Sequence, residues 1–189
     1  LQPKCNMATG ELVSMEALAR WQKSDGTFVS PGEFIPLFES SGFITRFDMY
    51  IWKSVCKTLA AWQDKGRKLV PISINVSMID ITNIDVPQYL SMLTEQYHIS
   101  PEYLPVEITE SIFAESNTIV KNTITRFHQK GFYVLMDDFG SGYSSLNVLK
   151  DANVDYLKLD MKFMQIDAKN KGKGIQILKS IVDMAHRLD

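Results

Sequence analysis

Two adjacent acidic residues, Asp137 and Asp138, follow an apolar run in this 189-residue chain. The run Val134 to Met136 is typical of a buried strand in a parallel sheet, where helices cover both faces. Two neighbouring carboxylates repel each other in such surroundings unless a cation or a proton lies between them. The pair therefore indicates a divalent metal site at a strand end, facing a polar cleft. The alternative is that both acids cap the following segment, since Asp is a good N-cap residue.

Other polar residues fall late in the remaining strands that the sequence predicts. Together with the acidic pair they form a set of seven candidates: Glu16, Asn75, Glu107, Asp137, Asp138, Lys158 and Asp160. Oxygen ligands without His or Cys favour Mg²⁺ or Mn²⁺, with Ca²⁺ as a further option, over zinc. Four or more carboxylates at one cleft could hold two ions about 3.5–4 Å apart, the arrangement that clamps a transferring phosphoryl group. Lys158 would orient an attacking water or stabilise developing negative charge.

Each candidate also has a purely structural interpretation. Asn75 could satisfy backbone groups, Lys158 could be an ion-pair partner, and Glu16 could lie on the solvent side of an edge strand. The segment Gly140-Ser141-Gly142 lacks the lysine and the spacing of a P-loop and does not match a dinucleotide fingerprint. It is either a mobile lid over the site or a plain glycine turn.

Apolar periodicity predicts the elements that position these candidates. The predicted strands cover residues 1–5, 11–18, 69–77, 104–110, 134–136 and 154–160, the first two forming an antiparallel hairpin. The first predicted helix begins at Pro31 after a capping box and ends before Gly42. Further helices are predicted at residues 45–65, 87–97, 117–130, 144–150 and 174–187. Alternating strands and helices imply right-handed crossovers and a parallel sheet with helices outside it.

Polar residues at the ends of at least five strands favour an α/β fold of the TIM-like barrel type, whose chemistry gathers at the C-terminal strand ends. A doubly wound open sheet is the alternative. That fold would place a ligand at a switch point between two neighbouring strands.

Composition describes one ordinary globular domain, with 45% hydrophobic and 22% charged residues. The net charge of -2 gives no general attraction to DNA, RNA or an anionic membrane, so a phosphate-bearing ligand would be held locally. Two cysteines far apart in sequence favour a reducing compartment. Since the chain has no apolar run of membrane-spanning length and no signal peptide, we expect a cytoplasmic domain.

Short motifs occur in a fixed order along the whole chain: Gln2-Pro3, Glu16-Ala17-Leu18, Arg20-Trp21, Asn75-Val76-Ser77, Glu107-Ile108-Thr109-Glu110-Ser111, Asp137-Asp138-Phe139-Gly140-Ser141-Gly142-Tyr143-Ser144-Ser145-Leu146 and Lys158-Leu159-Asp160. In these motifs the chain resembles the EAL domains, bacterial phosphodiesterases specific for cyclic di-GMP. A set this long and in this order is highly specific. The family reaction is metal-dependent hydrolysis of one phosphodiester bond, which gives linear pGpG.

The resemblance implies a site with two Mg²⁺ or Mn²⁺ ions. A first ion would have four ligands: Glu16, Asn75, Glu107 and Asp137. Asp137 would bridge to a second ion bound by Asp138, and Lys158 would contact the hydrolytic water as a catalytic residue.

The resemblance also implies roles around that centre. The substrate-binding residues would be Gln2, Leu18, Arg20 and Asp160, with Gln2 and Arg20 holding a guanine and a phosphate. Glu110 would steady the loop after Asp138, which in the family couples the active site to dimerisation. That loop or lid comprises Phe139, Gly140, Ser141 and Gly142. Family members commonly sit beside sensory or GGDEF domains, and a homodimer is a further expectation.

The chain also departs from the family pattern. The family barrel has eight strands with the first antiparallel, whereas residues 1–189 supply about six, so we expect an EAL domain that lacks its last two strands. A Glu-Gly-Val-Glu segment and a late glutamine would be absent with them. The chain would then be a fragment, or a second copy would close the sheet. Smaller departures are Ser14 and the polar Lys4 of the first strand. The alternatives to hydrolysis are a non-hydrolysing cyclic-di-GMP receptor or interaction module, and a fragment inactive through truncation.

Overall fold

The computed structural model describes residues 1–114, 118–140, 149, 152–160 and 171–187. Six strands form one sheet: β1 (Gln2–Cys5), β2 (Leu12–Glu16), β5 (Ile72–Asn75), β6 (Val106–Thr109), β7 (Val134–Phe139) and β8 (Tyr156–Leu159). The short strands β3 (Trp21–Gln22) and β4 (Phe28–Val29) pair separately. The helices are α1 (Pro31–Ser40), α2 (Ile44–Asp64), α3 (Met78–Asn83), α4 (Val86–Tyr97), α5 (Glu110–Ala114), α6 (Thr118–Gln129) and α7 (Lys171–Ala185).

The six-stranded sheet follows the order of the chain, β1-β2-β5-β6-β7-β8. β1 and β2 are antiparallel, and every later pair in the sheet is parallel. Because each strand of this sheet lies next to the sheet strand before it in the chain, the strand order never reverses and the sheet has no switch point. This excludes the doubly wound open sheet. The TIM-like α/β architecture with an antiparallel first strand is therefore confirmed, with six strands present.

The opening hairpin is built as its sequence predicts. Asn6 Oδ1 accepts the backbone N–H groups of Ala8 and Thr9 at 2.8 and 3.1 Å, and Gly10 turns the chain with φ of 72°. The resulting register sets Gln2 opposite Glu16. Since side chains alternate along a strand, Lys4 lies on the same face as Gln2.

The long helix α2 packs its buried face against the sheet. The sequence predicts the buried stripe Phe47, Ile51, Val55, Leu59 and Trp62. Val55 and Leu59 are buried, but the deepest face also includes Trp52 and Cys56, both fully inaccessible, while Phe47, Ile51 and Trp62 are only half-buried. On this face the Trp52 indole N–H reaches the sheet and donates to the Asn75 carbonyl at 3.0 Å.

Helix ends depart from the predictions in two places. Ser30 precedes α1, but its side chain makes no capping hydrogen bond, so the predicted capping box is wrong there. The capping box lies instead at α3, where the Ser77 hydroxyl accepts from the Asp80 N–H and the Asp80 carboxylate accepts from the Ser77 N–H. The sequence did not predict α3, α5 or the β3–β4 pair. The predicted helix at 144–150 falls almost wholly outside the described residues.

Apolar residues of the sheet and of α2, α4 and α6 form one buried cluster. Within the described part of the chain, no helix is both long enough and apolar enough to cross a bilayer.

Candidate active site

Three carboxylates converge at one side of the sheet. Glu16 ends β2, Glu107 lies in β6 and Asp137 lies in β7, and one oxygen of each falls within 4.8 Å of the other two. The Glu107 side chain has no exposed surface, whereas Asp137 retains 18% exposure. Three anions this close require positive charge nearby.

Lys158 of β8 supplies part of that charge. Its ammonium group lies 3.0 Å from Glu16 Oε2 and 2.9 Å from Asp137 Oδ2, and it also contacts Glu107 Oε2. Burial acts to lower the pKa of Lys158, but hydrogen bonds and charges from the three carboxylates outweigh it and raise that pKa above its ordinary value. The three carboxylates therefore favour the charged form of Lys158.

Lys4 of β1 supplies a second positive charge. Its ammonium group donates to Glu107 Oε1 at 2.5 Å and to Ser73 Oγ at 3.1 Å, and it lies 3.6 Å from Glu16 Oε2. The sequence showed Lys4 only as a departure from the family pattern and did not place it in the site. The alternation of side chains puts Lys4 on the same face as Gln2, but the register that sets Gln2 opposite Glu16 comes from the structure.

The remaining two predicted metal ligands differ in position. Asn75 ends β5, with its Nδ2 3.5 Å from Glu16 Oε1. Asp138 is exposed, has φ of 56°, and is not part of the three-carboxylate group. Its backbone N–H donates to Asp137 Oδ1 at 2.8 Å. The assignment of Asp138 to a second ion stays a prediction.

The loop predicted after the acidic pair begins one residue later than expected. Phe139 is buried and pairs with Leu159, so it belongs to β7 rather than to the loop. Gly140 follows with φ of 93°, and its N–H donates to the buried carboxylate of Glu110 at 2.8 Å. Ser141 and Gly142 lie outside the described residues.

The predicted substrate-binding residues fall in two groups. Leu18 and Arg20 line a cavity of about 460 Å³ next to the carboxylate cluster, with Asn75 at the boundary between the two. Gln2 is exposed at the start of β1, and Asp160 follows β8 with its N–H donating to the Phe139 carbonyl at 3.1 Å. The cavity is lined by both apolar and polar groups, and its charged residues are Arg20, Glu39 and Asp48.

The donor set fits a hard divalent cation. The three carboxylates and the neighbouring Asn75 amide provide oxygen ligands, and within the described residues no His or Cys joins the cluster. Such sets prefer Mg²⁺, Mn²⁺ or Ca²⁺.

A sheet in barrel order with a cluster of three carboxylates among its parallel strands defines a TIM-like α/β protein with an acidic site. The sequence model described as "EAL domain" matches residues 1–189, so the chain belongs to the EAL domain family.

Two curated relatives show what this chain is similar to. The probable cyclic di-GMP phosphodiesterase PdeB of Escherichia coli K12 is 35% identical over 188 residues, covering 99% of this chain and 35% of PdeB. The cyclic di-GMP phosphodiesterase PA2567 of Pseudomonas aeruginosa is 30% identical over 187 residues, covering 99% of this chain and 32% of the relative. The chain thus spans about a third of the length of these relatives.

Solved structures share the fold. The EAL enzyme Bd1971 in its cAMP-bound form has a TM-score of 0.89 at 28% identity, covering all of this chain and 53% of that one. The PaMucR phosphodiesterase in complex with c-di-GMP has a TM-score of 0.83 at 26% identity, covering 99% of this chain and 79% of that one.

Proposed function

We propose that this chain carries the catalytic centre of a phosphodiesterase that hydrolyses cyclic di-GMP to linear pGpG in bacterial signalling. The observation that carries the proposal is the convergence of Glu16, Glu107 and Asp137 around the Lys158 ammonium group. The names of the relatives PdeB and PA2567 support the substrate, and so does the c-di-GMP bound to PaMucR.

The proposed metal centre uses Mg²⁺ or Mn²⁺. The cluster of Glu16, Glu107 and Asp137, with Asn75 beside it, would hold one ion, and Asp137 with Asp138 would hold a second. Bound there, divalent ions would lower the pKa of a water molecule and neutralise charge on the phosphate.

Lys158 would orient the attacking water and stabilise negative charge on the phosphate. The Lys158 ammonium group donates hydrogen bonds to Glu16 and Glu107 and would donate in the same way to a water or a phosphate oxygen. The carboxylates that hold it keep it close to the atoms that would react.

The substrate would lie over the cavity beside the cluster. Arg20 would pair with a phosphate, since a guanidinium matches a phosphate with two parallel hydrogen bonds. Leu18 lines the same cavity, while Gln2 and Asp160 would contact the guanine and the remaining polar groups. Glu110 would hold the loop that starts at Gly140.

The wider setting is also a proposal. A single EAL domain over residues 1–189 would work as a homodimer beside sensory or GGDEF domains. A cytoplasmic location agrees with Cys5 and Cys56, which are both free thiols.

Asp137→Asn tests the proposed function in the full-length gene product. We expect the wild type to form pGpG from cyclic di-GMP when Mg²⁺ or Mn²⁺ is supplied, and the variant to lose at least about 100-fold in turnover, because a carboxylate that would hold the proposed ions is gone. Product is measured by chromatography. Asp64→Asn removes the same charge from the exposed end of α2 and serves as the matched control.

Two outcomes would overturn the proposal. Turnover that survives Asp137→Asn would exclude the assigned metal site. Tight binding of cyclic di-GMP by the wild type with no product at saturating metal would identify a receptor instead of an enzyme.

A further inference from the structure

Glu107 lies between two ammonium groups. Lys158 contacts its Oε2 and Lys4 donates to its Oε1 at 2.5 Å, so both oxygens of this fully buried carboxylate already have cationic partners. Any metal ion that uses Glu107 has to share these oxygens with a lysine or displace one.

The two lysines are held to different degrees. Lys158 contacts all three carboxylates, but Lys4 makes close contacts only with Glu107 and with the hydroxyl of Ser73, and lies farther, 3.6 Å, from Glu16. Both lysines lie on edge strands of the described sheet, and their side chains are similarly exposed, 26% for Lys4 on β1 and 24% for Lys158 on β8. The number of close carboxylate contacts separates them, so Lys4 is the lysine that loses fewer contacts when it withdraws toward solvent.

The charge of Lys4 affects how strongly the cluster attracts a divalent cation. Three carboxylates and two ammonium groups leave the cluster with a formal charge of -1, and without Lys4 the formal charge would be -2. A divalent cation is attracted more strongly to the second arrangement, since the Coulomb energy scales with the product of the charges.

We propose that Lys4 is an internal counter-ion of the metal site, which neutralises Glu107 when no metal is bound and lowers the affinity of the site for divalent cations by competing for the same carboxylate. Lys4 is thus a positioning residue that sets the metal concentration at which the site fills. The proposal rests on the metal site of the proposed function.

Lys4→Met tests this proposal, because methionine keeps most of the length of the unbranched side chain and removes the charge. Mn²⁺ is titrated into the full-length protein by calorimetry in the absence of cyclic di-GMP. We expect Mn²⁺ to bind the variant about tenfold more tightly than the wild type. Lys23→Met makes the same charge change on the exposed β3–β4 turn and should leave Mn²⁺ affinity unchanged.

Thermal unfolding supplies a second, independent readout. Without metal, Lys4→Met should be less stable than the wild type, because the three carboxylates lose a counter-ion. Saturating Mn²⁺ should raise the Tm of the variant by more than that of the wild type, since the tighter ligand stabilises the folded state more. Lys4→Gln keeps hydrogen-bond donors for Glu107 and Ser73 and replaces Lys4→Met if that variant does not fold. Its Tm should also rise more with saturating Mn²⁺ than the Tm of the wild type does.

An Mn²⁺ affinity in the variants equal to or weaker than that of the wild type would overturn the role of Lys4. These titrations do not use the substrate, so failure of hydrolysis is scored separately by the absence of pGpG. Wild-type protein that makes product while Lys4→Met leaves Mn²⁺ affinity unchanged would refute this inference alone.

Discussion

A second pair of acidic residues, Asp48 and Asp80, lies apart from the carboxylate cluster. Asp80 is fully buried, and its Oδ2 accepts hydrogen bonds from the Ser77 backbone and hydroxyl. Its Oδ1 has no partner among the described residues, which leaves room for a proton shared with Asp48. Burial, together with the charge of Asp80, raises the pKa of Asp48 to about 8.

This pair makes stability depend on pH. Between the ordinary Asp pKa and about 8, folded Asp48 keeps a proton that the unfolded chain has released, so stability falls as pH rises through that window. The Asn side chain of Asp48→Asn does not titrate, so the stability of this variant should depend less on pH. Its Tm should be about 3 °C or more above that of the wild type near pH 8. Thermal unfolding measured from about pH 5 to about pH 9 checks this. Equal slopes in Asp48→Asn and in the Asp64→Asn control would contradict it.

The residue types at the site were predictable, but not all of their contacts. Glu16, Glu107 and Asp137 were identified because acidic residues at strand ends require a counter-charge. Lys4 was not, because the reach of its side chain depends on how β1 aligns with β2, and the sequence does not give that alignment.

At the scale of elements, α2 and β5 are joined through Trp52. The indole is fully buried and its N–H donates to the carbonyl of Asn75, the last residue of β5. The helix thus fixes the strand end that carries a proposed metal ligand.

Trp52→Phe should cost about 2–4 kcal/mol of folding free energy, because it leaves a cavity and a carbonyl without its donor. Chemical denaturation checks this value. Trp62→Phe, at a half-buried position of the same helix, should cost less. Similar losses for the two variants would mean that the Trp52 contact does not anchor β5.

Elements with a clear apolar period were predictable from the sequence, and the shortest helices were not. The predicted helix at 45–65 and strand at 104–110 match α2 and β6 within a few residues, because each shows a clear apolar period. The helices α3 and α5 have six and five residues, too few to display a helical period, and depend on tertiary contacts.

At the scale of the whole molecule, the described sheet has β1 and β8 at its two edges and β6 and β7 near its centre. An edge strand has hydrogen-bonding groups without a strand partner on one side. Local opening should therefore be easiest at the edges.

Hydrogen exchange measured on residues 1–189 should show the slowest amides in β6 and β7 and faster exchange in β1 and β8. The alternative is that a second copy of the chain pairs with the edges of the sheet. Dilution tests this, since protection of amides by a partner chain falls at low concentration. Protection of β8 equal to that of β6 at every concentration would contradict an open edge.

Two different properties could be conserved at position 138 during evolution: the backbone conformation and the carboxylate. Its φ of 56° lies in the left-handed region, which Gly, Asn and Asp enter at the lowest cost. Asn and Gly are each one nucleotide change away from an Asp codon. A lineage could therefore discard the negative charge at this position in a single step without rebuilding the bend. If related sequences keep Asp at this position and do not change to Asn or Gly, the carboxylate itself is in use.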